Sequence, residues 1–105
     1  MHHDKEIIGY RHNAAAQILQ LYLNIEETLT FCNVVDYCFQ AASIQNVIFS
    51  LYSKPAAQLI AEEMDDDPIL MFYKNSPIAY TVHIIDSSTG LYGYIISQPT
   101  APHAA

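Results

Sequence analysis

Five acidic side chains stand close together in the second half of the chain, within the six positions from 62 to 67. Clustered carboxylates can bind a metal ion, transfer protons, or present a negative surface to a basic molecule. The spacing lacks the alternating oxygen ligands and the glycine of a calcium loop, and two-metal catalysis needs carboxylates from separate elements. The pattern therefore argues against a metal site. The cluster consists of Glu62, Glu63, Asp65, Asp66 and Asp67.

The acidic cluster falls at the predicted end of a helix, where negative charge opposes the helix dipole and the carboxylates repel one another. Stability alone would not select this arrangement. One interpretation is a contact surface that docks against a basic, nucleic-acid-binding protein and speeds the association by electrostatic steering. The alternative is a solvated turn that only keeps the chain soluble.

Tyrosine is the second unusual feature, because the chain has eight tyrosines and no tryptophan. Tyr73, Tyr80, Tyr92 and Tyr94 fall in the predicted sheet. An exposed row of tyrosines gives a large, rigid contact area with hydrogen-bonding tips, so we assign Tyr73, Tyr92 and Tyr94 to the partner-binding surface. The alternative is that these rings complete a small hydrophobic core.

Residues that could carry out catalysis do not form a recognisable constellation. His83 and Asp86 are three positions apart on a predicted strand and point to opposite sides. Cys32 and Cys38 fall inside a predicted helix, which makes them buried free thiols rather than nucleophiles. The three glycines lack the spacing of a phosphate-binding loop. The sequence predicts no enzyme and no cofactor.

Helices are predicted in the first part of the chain. Residues 14–23 follow Asn13, a good helix-capping residue, and combine alanines with apolar groups at the helical period. Residues 25–41 carry two apolar stripes, which predicts a central helix covered on both sides. Residues 44–53 match the helical template, although positions 46–52 would also suit a strand.

A fourth helix and three strands complete the prediction. Pro55 suits a first helical turn, so a helix is expected over 56–64. The apolar period then changes to two over residues 69–74, 78–86 and 91–97, with short turns between them. The expected fold class is α+β, in which about four N-terminal helices pack on one face of a C-terminal three-stranded antiparallel meander.

The length of 105 residues predicts a single domain over residues 13–97. Residues 1–12 are polar and are expected to form a loose arm or an edge strand. Residues 98–105 are rich in proline and alanine and are expected to be a disordered tail.

The charge balance limits the possible partners. Four lysines and arginines against eleven aspartates and glutamates give a net charge of −7 with the histidines neutral. Direct binding to nucleic acid or to an anionic membrane needs basic clusters, which this chain lacks. No apolar stretch reaches the roughly 20 residues of a spanning helix, and no signal peptide is evident, so we expect a cytoplasmic protein.

Two functions fit these observations, although no motif identifies a family. The first is a small acidic protein that inhibits a basic, nucleic-acid-binding protein or nuclease by blocking its surface or imitating phosphates. Anti-CRISPR proteins and immunity proteins against nuclease toxins are often of this size and charge, an analogy of type alone. The second is a non-catalytic domain that forms a homodimer through a sheet edge or holds a small ligand in an apolar cavity.

Overall fold

A computed structural model describes the chain over residues 6–23, 27–40, 47–89 and 92–99. Within these ranges, the side chains of residues 47–49, 87–89 and 92 are not described. The predicted tail falls outside the described residues from position 100 onward. The described part of the chain is mostly β-strand.

Seven strands, one 3₁₀ turn and two short helices make up the described structure. The strands are β1 (Ile7–Asn13), β2 (Ile18–Leu23), β3 (Thr28–Phe31), β4 (Val34–Gln40), β5 (Val47–Pro55), β6 (Thr81–Thr89) and β7 (Tyr92–Ser97). Between β5 and β6 lie the 3₁₀ turn (Ala56–Gln58), α1 (Ala61–Met64) and α2 (Pro68–Lys74), which together we call the helical layer.

The strands form two antiparallel sheets. The smaller sheet has the order β1-β2-β3, and the larger has the order β4-β7-β6-β5. In the larger sheet β7 lies between β4 and β6, so that Val34 pairs with Ser97 and Val82 with Ile96. Strands β4 and β5 are the outer strands of this sheet.

The four-stranded sheet is the middle of three layers, with a separate hydrophobic core on each face. Successive residues of β7 point to opposite cores: Ile95 faces the three-stranded sheet, and Ile96 faces the helical layer. A fully buried Leu or Ile contributes roughly 1.5–3 kcal/mol, so both cores matter for stability. The core between the sheets contains Ile7, Leu19, Leu21, Leu23, Val34, Ile85 and Ile95. The core beneath the helical layer contains Ala56, Leu59, Leu70, Tyr73, Val82, Tyr94 and Ile96.

The expected α+β fold with about four N-terminal helices is wrong. The first predicted helix, over 14–23, is a turn followed by strand β2. Asn13 does cap this turn, because its Oδ1 accepts a hydrogen bond from the N–H of Ala16 at 3.2 Å. The chain then leaves the helical conformation at Gln17, where φ is 56°. Leu19, Leu21 and Leu23 are buried at every second position, which is the period of a strand.

The predicted helices over 25–41 and 44–53 are also wrong where the structure describes them. Strands β3 and β4 occupy the first, with a break at Asn33, where φ is 56°. Strand β5 occupies the described part of the second. Both segments are rich in β-branched and aromatic residues, which suit a pleated surface. Cys38 lies in β4 and is half-buried, and Cys32 lies between β3 and β4 and is exposed. The prediction that both thiols are buried in a helix is therefore wrong.

The segment between β5 and β6 also departs from the prediction. The helix expected over 56–64 is reduced to the 3₁₀ turn and α1, and the strand expected over 69–74 is helix α2. Asp67 caps α2, since its Oδ1 accepts from the N–H of Ile69 at 2.8 Å, and Pro68 occupies the first helical position. The sequence predicts that the acidic cluster ends a helix, whereas Asp67, its last member, begins one.

The last two predicted strands are observed as β6 and β7, and they pair as antiparallel neighbours. Their faces also follow the sequence pattern, because Val82 and Ile96 face the helical layer. The sequence predicts either a loose arm or an edge strand for residues 1–12. Residues 7–12 lie in β1, at the edge of the smaller sheet.

Candidate functional site: an acidic cleft

A cleft of about 430 Å³ opens between the helical layer and one end of the larger, four-stranded sheet, which we call the central sheet. This volume falls in the range of pockets that bind small molecules. All four strands of the central sheet contribute to it. We call it the acidic cleft; it is lined by Gln40, Tyr52, Glu62, Glu63, Met64, Asp65, Asp67, Leu70, Ile84, Ile85, Asp86, Gly93 and Tyr94.

The charge of the cleft is negative. Five of its lining residues carry a carboxylate, and none of its described lining residues is basic. A cleft lined by one sign of charge against low-dielectric walls concentrates the electrostatic potential, which attracts cations. The five acidic residues are Glu62, Glu63, Asp65, Asp67 and Asp86.

Glu63 has a structural role at the wall of the cleft, where its carboxylate accepts three hydrogen bonds. Its Oε1 accepts hydrogen bonds from Lys54 Nζ at 2.7 Å and from the N–H of Ile60 at 3.0 Å, and its Oε2 accepts from the Tyr52 hydroxyl at 2.9 Å. Burial alone would raise the pKa of Glu63, but the hydrogen bond from Lys54 and the two other donors lower it. Burial and the Glu63 carboxylate raise the pKa of Tyr52 to about 12. Glu63 therefore neutralises Lys54 and is not free for a partner.

The turn between α1 and α2 carries the remaining aspartates of the cluster. Asp65 and Asp66 have left-handed φ angles of 46° and 59°, and both side chains are exposed. Aspartate and asparagine tolerate this conformation better than most residues. Asp67 is half-buried and caps α2. The exposed carboxylates of the turn are therefore Asp65 and Asp66.

Tyr94 forms the floor of the acidic cleft. It is only 6% exposed, and its hydroxyl oxygen has no hydrogen-bond partner among the described residues. Burial, followed by the nearby Asp67 carboxylate, raises the pKa of Tyr94. Asp67 thus lies close to this hydroxyl, although the two groups do not meet in hydrogen-bonding geometry. A buried polar atom without a partner is rare in folded proteins.

Gly93 brings the neighbouring strands together beside Tyr94. It pairs with Phe39 on β4, and a Cβ atom at this position would lie 1.9 Å from the carbonyl oxygen of Cys38. Only glycine allows this approach of the two backbones.

The structure brings together five of the eight residues that the sequence assigned to partner binding. Asp66 lies in the adjoining turn, and the side chain of Tyr92 is outside the described residues. Tyr73 is buried and donates a 3.1 Å hydrogen bond to Oδ2 of Asp36. Burial and Asp36 raise its pKa to about 12, and Tyr73 is part of the core beneath the helical layer. The five in the cleft are Glu62, Glu63, Asp65, Asp67 and Tyr94.

Sequence reasoning missed three polar residues of the cleft, Gln40, Tyr52 and Asp86. Asp86 gave the clearest signal, since it is the first charged residue after the apolar run of β6. Tyr52 and Gln40 lie on the two outer strands of the sheet, β5 and β4. These strands were predicted as helices, so the sequence did not show that they reach the same cleft as the acidic cluster.

His83 lies on the opposite face of β6 from the acidic cleft. Its Nδ1 is 2.6 Å from the Ser53 hydroxyl, its Nε2 is 3.0 Å from the Ser97 hydroxyl, and its ring contacts Phe31. The histidine bridges β5, β6 and β7 in this way. Burial lowers the pKa of His83, which favours the neutral ring.

Comparisons with protein-family models, curated proteins and solved structures give no significant match to this chain. Within the described residues, no three His, Cys, Asp or Glu side chains are arranged to hold a metal ion. No helix in the same residues has the length and apolarity needed to span a membrane.

Proposed function

We propose that this protein binds a basic, nucleic-acid-binding protein through the acidic cleft and the adjoining turn, and inhibits it by occupying its phosphate-binding surface. The observation that supports this proposal is the grouping of five carboxylates around one cleft whose described lining has no basic residue. Carboxylates can occupy the positions that Lys and Arg side chains offer to phosphates. The mechanism is blocking, and no bond is made or broken.

The exposed acidic groups are the ones available to the partner. Glu62, Asp65, Asp66 and Asp86 are exposed, whereas Glu63 is bound to Lys54 and Asp67 caps α2. Exposed charges at a rim act mainly on the rate of association and on its salt dependence. We therefore expect fast binding that weakens steeply as salt is added.

A capture experiment with charge-matched variants tests the proposal. The intact protein, an Asp65→Asn/Asp66→Asn variant and a Glu6→Gln/Glu27→Gln control are immobilised and exposed to nuclease-treated extract. Asparagine keeps the left-handed turn, and Asp67 is left intact because it caps α2. The control removes the same two charges next to β1 and β3, in the smaller sheet.

We expect the intact protein and the control to retain a basic, nucleic-acid-binding protein that the turn variant loses. The retained protein should elute as salt rises. Equal retention by the turn variant, or a complex that resists salt, would contradict the proposal.

A homodimer is the second candidate, and one observation favours it. Strand β5 is nine residues long and is an outer strand of the central sheet, with β6 as its neighbour in that sheet. Long outer strands can pair with a second copy of the chain. Light scattering that gives twice the chain mass, independent of salt, supports this candidate; a monomer at tens of micromolar contradicts it.

A further inference from the structure

The buried hydroxyl of Tyr94 indicates what kind of group the acidic cleft receives. Its oxygen has no hydrogen-bond partner among the described residues, and the ring is part of the core beneath the helical layer. A buried hydroxyl without a partner is costly, so a ligand that bonds to it gains the full value of that bond. The hydroxyl can accept a hydrogen bond through either of its lone pairs.

The groups around Tyr94 add charge and an apolar wall. The Asp67 carboxylate lies close to the hydroxyl, and its Oδ1 accepts from the N–H of Ile69. An ionised carboxylate has about four acceptor sites, so Asp67 can accept a further hydrogen bond. Exposed carboxylates of Asp65 and Asp86 stand at the rim, while Leu70 and Ile84 supply apolar surface. A ligand for this cleft carries positive charge, donates several hydrogen bonds and has an apolar stem.

We propose that the acidic cleft binds the guanidinium group of an arginine side chain on the partner protein, which donates to both the Tyr94 hydroxyl and the Asp67 carboxylate. This inference rests on the proposed function, because it names the group by which the partner is recognised. Guanidinium has five donors in a planar fork, so one N–H can reach Asp67 while another reaches Tyr94. It is also more weakly hydrated than the ammonium of lysine and enters a half-buried site more readily.

Arginine fits the cleft better than a divalent cation does. Within the described residues the carboxylates do not converge in the way that a metal ion requires. They are spread along the cleft, from Glu62 on α1 to Asp86 on β6. Spread charges suit an extended side chain whose apolar stem packs along the wall and whose charged end reaches the floor.

A titration with single-residue probes tests the arginine site directly. The probes are Nα-acetyl-arginine methylamide, the corresponding lysine compound, and the citrulline compound, which has the arginine shape without the charge. Binding is followed by the backbone amide signals of the intact protein in NMR spectra. Tyr94→Phe is the decisive variant, because it keeps the ring and removes only the hydroxyl.

We expect the arginine probe to shift the amide signals of Gly93, Tyr94 and Asp67, with the lysine probe at least threefold weaker and the citrulline probe weaker still. Tyr94→Phe should weaken the arginine probe about fivefold, the effect of losing one hydrogen bond. The Glu6→Gln/Glu27→Gln control should bind the probe as the intact protein does.

Three results would overturn the arginine site. They are unchanged signals up to the solubility limit of the probe, equal binding of the arginine and lysine probes, and equal binding by Tyr94→Phe. If one of them occurs while the Asp65→Asn/Asp66→Asn variant still loses the captured protein, the arginine site fails and the proposed function stands. If the probe binds as expected but that variant keeps its partner, the assignment of the arginine to a partner protein fails together with the proposed function.

Discussion

The Tyr52 hydroxyl donates a 2.9 Å hydrogen bond to Oε2 of Glu63, which ties an outer strand of the central sheet to helix α1. Lys54, two positions along the same strand, binds the other oxygen of Glu63 at 2.7 Å. One carboxylate thus fastens the helical layer to β5 at the wall of the acidic cleft. Glu63 therefore helps to fix the position of α1 against β5.

Replacement of Glu63 should therefore reduce stability. We expect Glu63→Gln to lower the free energy of unfolding by about 1–3 kcal/mol, because three donors lose a charged acceptor. Glu62→Gln is the matched control, since Glu62 is exposed, and it should change stability by less than about 0.5 kcal/mol. Urea denaturation of the three proteins measures both values. Equal effects of the two substitutions would show that Glu63 has no special role.

The contribution of Glu63 should also depend on pH. Its pKa is lowered in the folded protein from the ordinary value of 4.5, so the unfolded chain takes up the proton first. The stabilisation is present above pH 4.5 and is lost as the pH falls through the folded pKa. The difference in stability between the intact protein and Glu63→Gln should shrink over this acidic range.

Two tyrosines of the same core should respond in opposite ways to removal of the hydroxyl. Tyr73 donates to Asp36, and Tyr73→Phe should cost about 1–3 kcal/mol because it removes a bond to a charged group. The Tyr94 hydroxyl has no partner among the described residues, so Tyr94→Phe should leave stability unchanged or raise it. Thermal unfolding measures both variants. A large loss of stability in Tyr94→Phe would mean that its hydroxyl is bonded in the free protein.

His83 should make stability fall in mild acid. Burial lowers its pKa in the folded protein below the ordinary value of 6.5, so the unfolded chain binds the proton more readily. Stability should therefore decline as the pH drops below about 6.5 and level off below the folded pKa. In His83→Gln this decline should be reduced, and it begins at a higher pH than that of Glu63, whose ordinary pKa is 4.5. Parallel pH profiles for the two proteins would contradict the assignment.

Gly93 should tolerate no side chain. In Gly93→Ala the new methyl group would meet the Cys38 carbonyl oxygen at 1.9 Å, which forces β4 and β7 apart. We expect a loss of about 3 kcal/mol or more, or a chain that does not fold. Gly9→Ala is the control, because the nearest atom, Cδ2 of Tyr22, lies at 3.8 Å. Circular dichroism and urea denaturation distinguish the two variants.

The sequence predicted the structure where local signals decide it. Strands β6 and β7 follow one another closely in the sequence, so their alternating pattern is local information. The acidic residues of the turn are neighbours in sequence and stay neighbours in space. These parts of the fold and of the cleft were therefore accessible without a structure.

The remaining elements depend on pairing between distant residues. Asn13 and the alanines after it form a capped turn, as their propensities indicate. The next residues form strand β2 instead of a helix, because Leu19, Leu21 and Leu23 are buried in the core between the two sheets. Tertiary burial outweighs helix propensity there. The floor and far wall of the cleft were missed for the same reason.

Strand β7 occupies the centre of the larger sheet although it is the last of the described strands. Strand β4 has β7 as its neighbour in that sheet, and Gln40 pairs with Tyr92, more than fifty residues later in the chain. Strand β4 can therefore pair in this sheet only after β7 has been synthesised. Contacts between such distant segments slow folding, since a long loop must close first. Tyr94, which forms the floor of the acidic cleft, lies on β7 and takes its place when this strand pairs. During synthesis the acidic cleft is thus completed after both sheets have begun to form, and a shortened chain that ends before β7 would have the acidic turn but no floor beneath it.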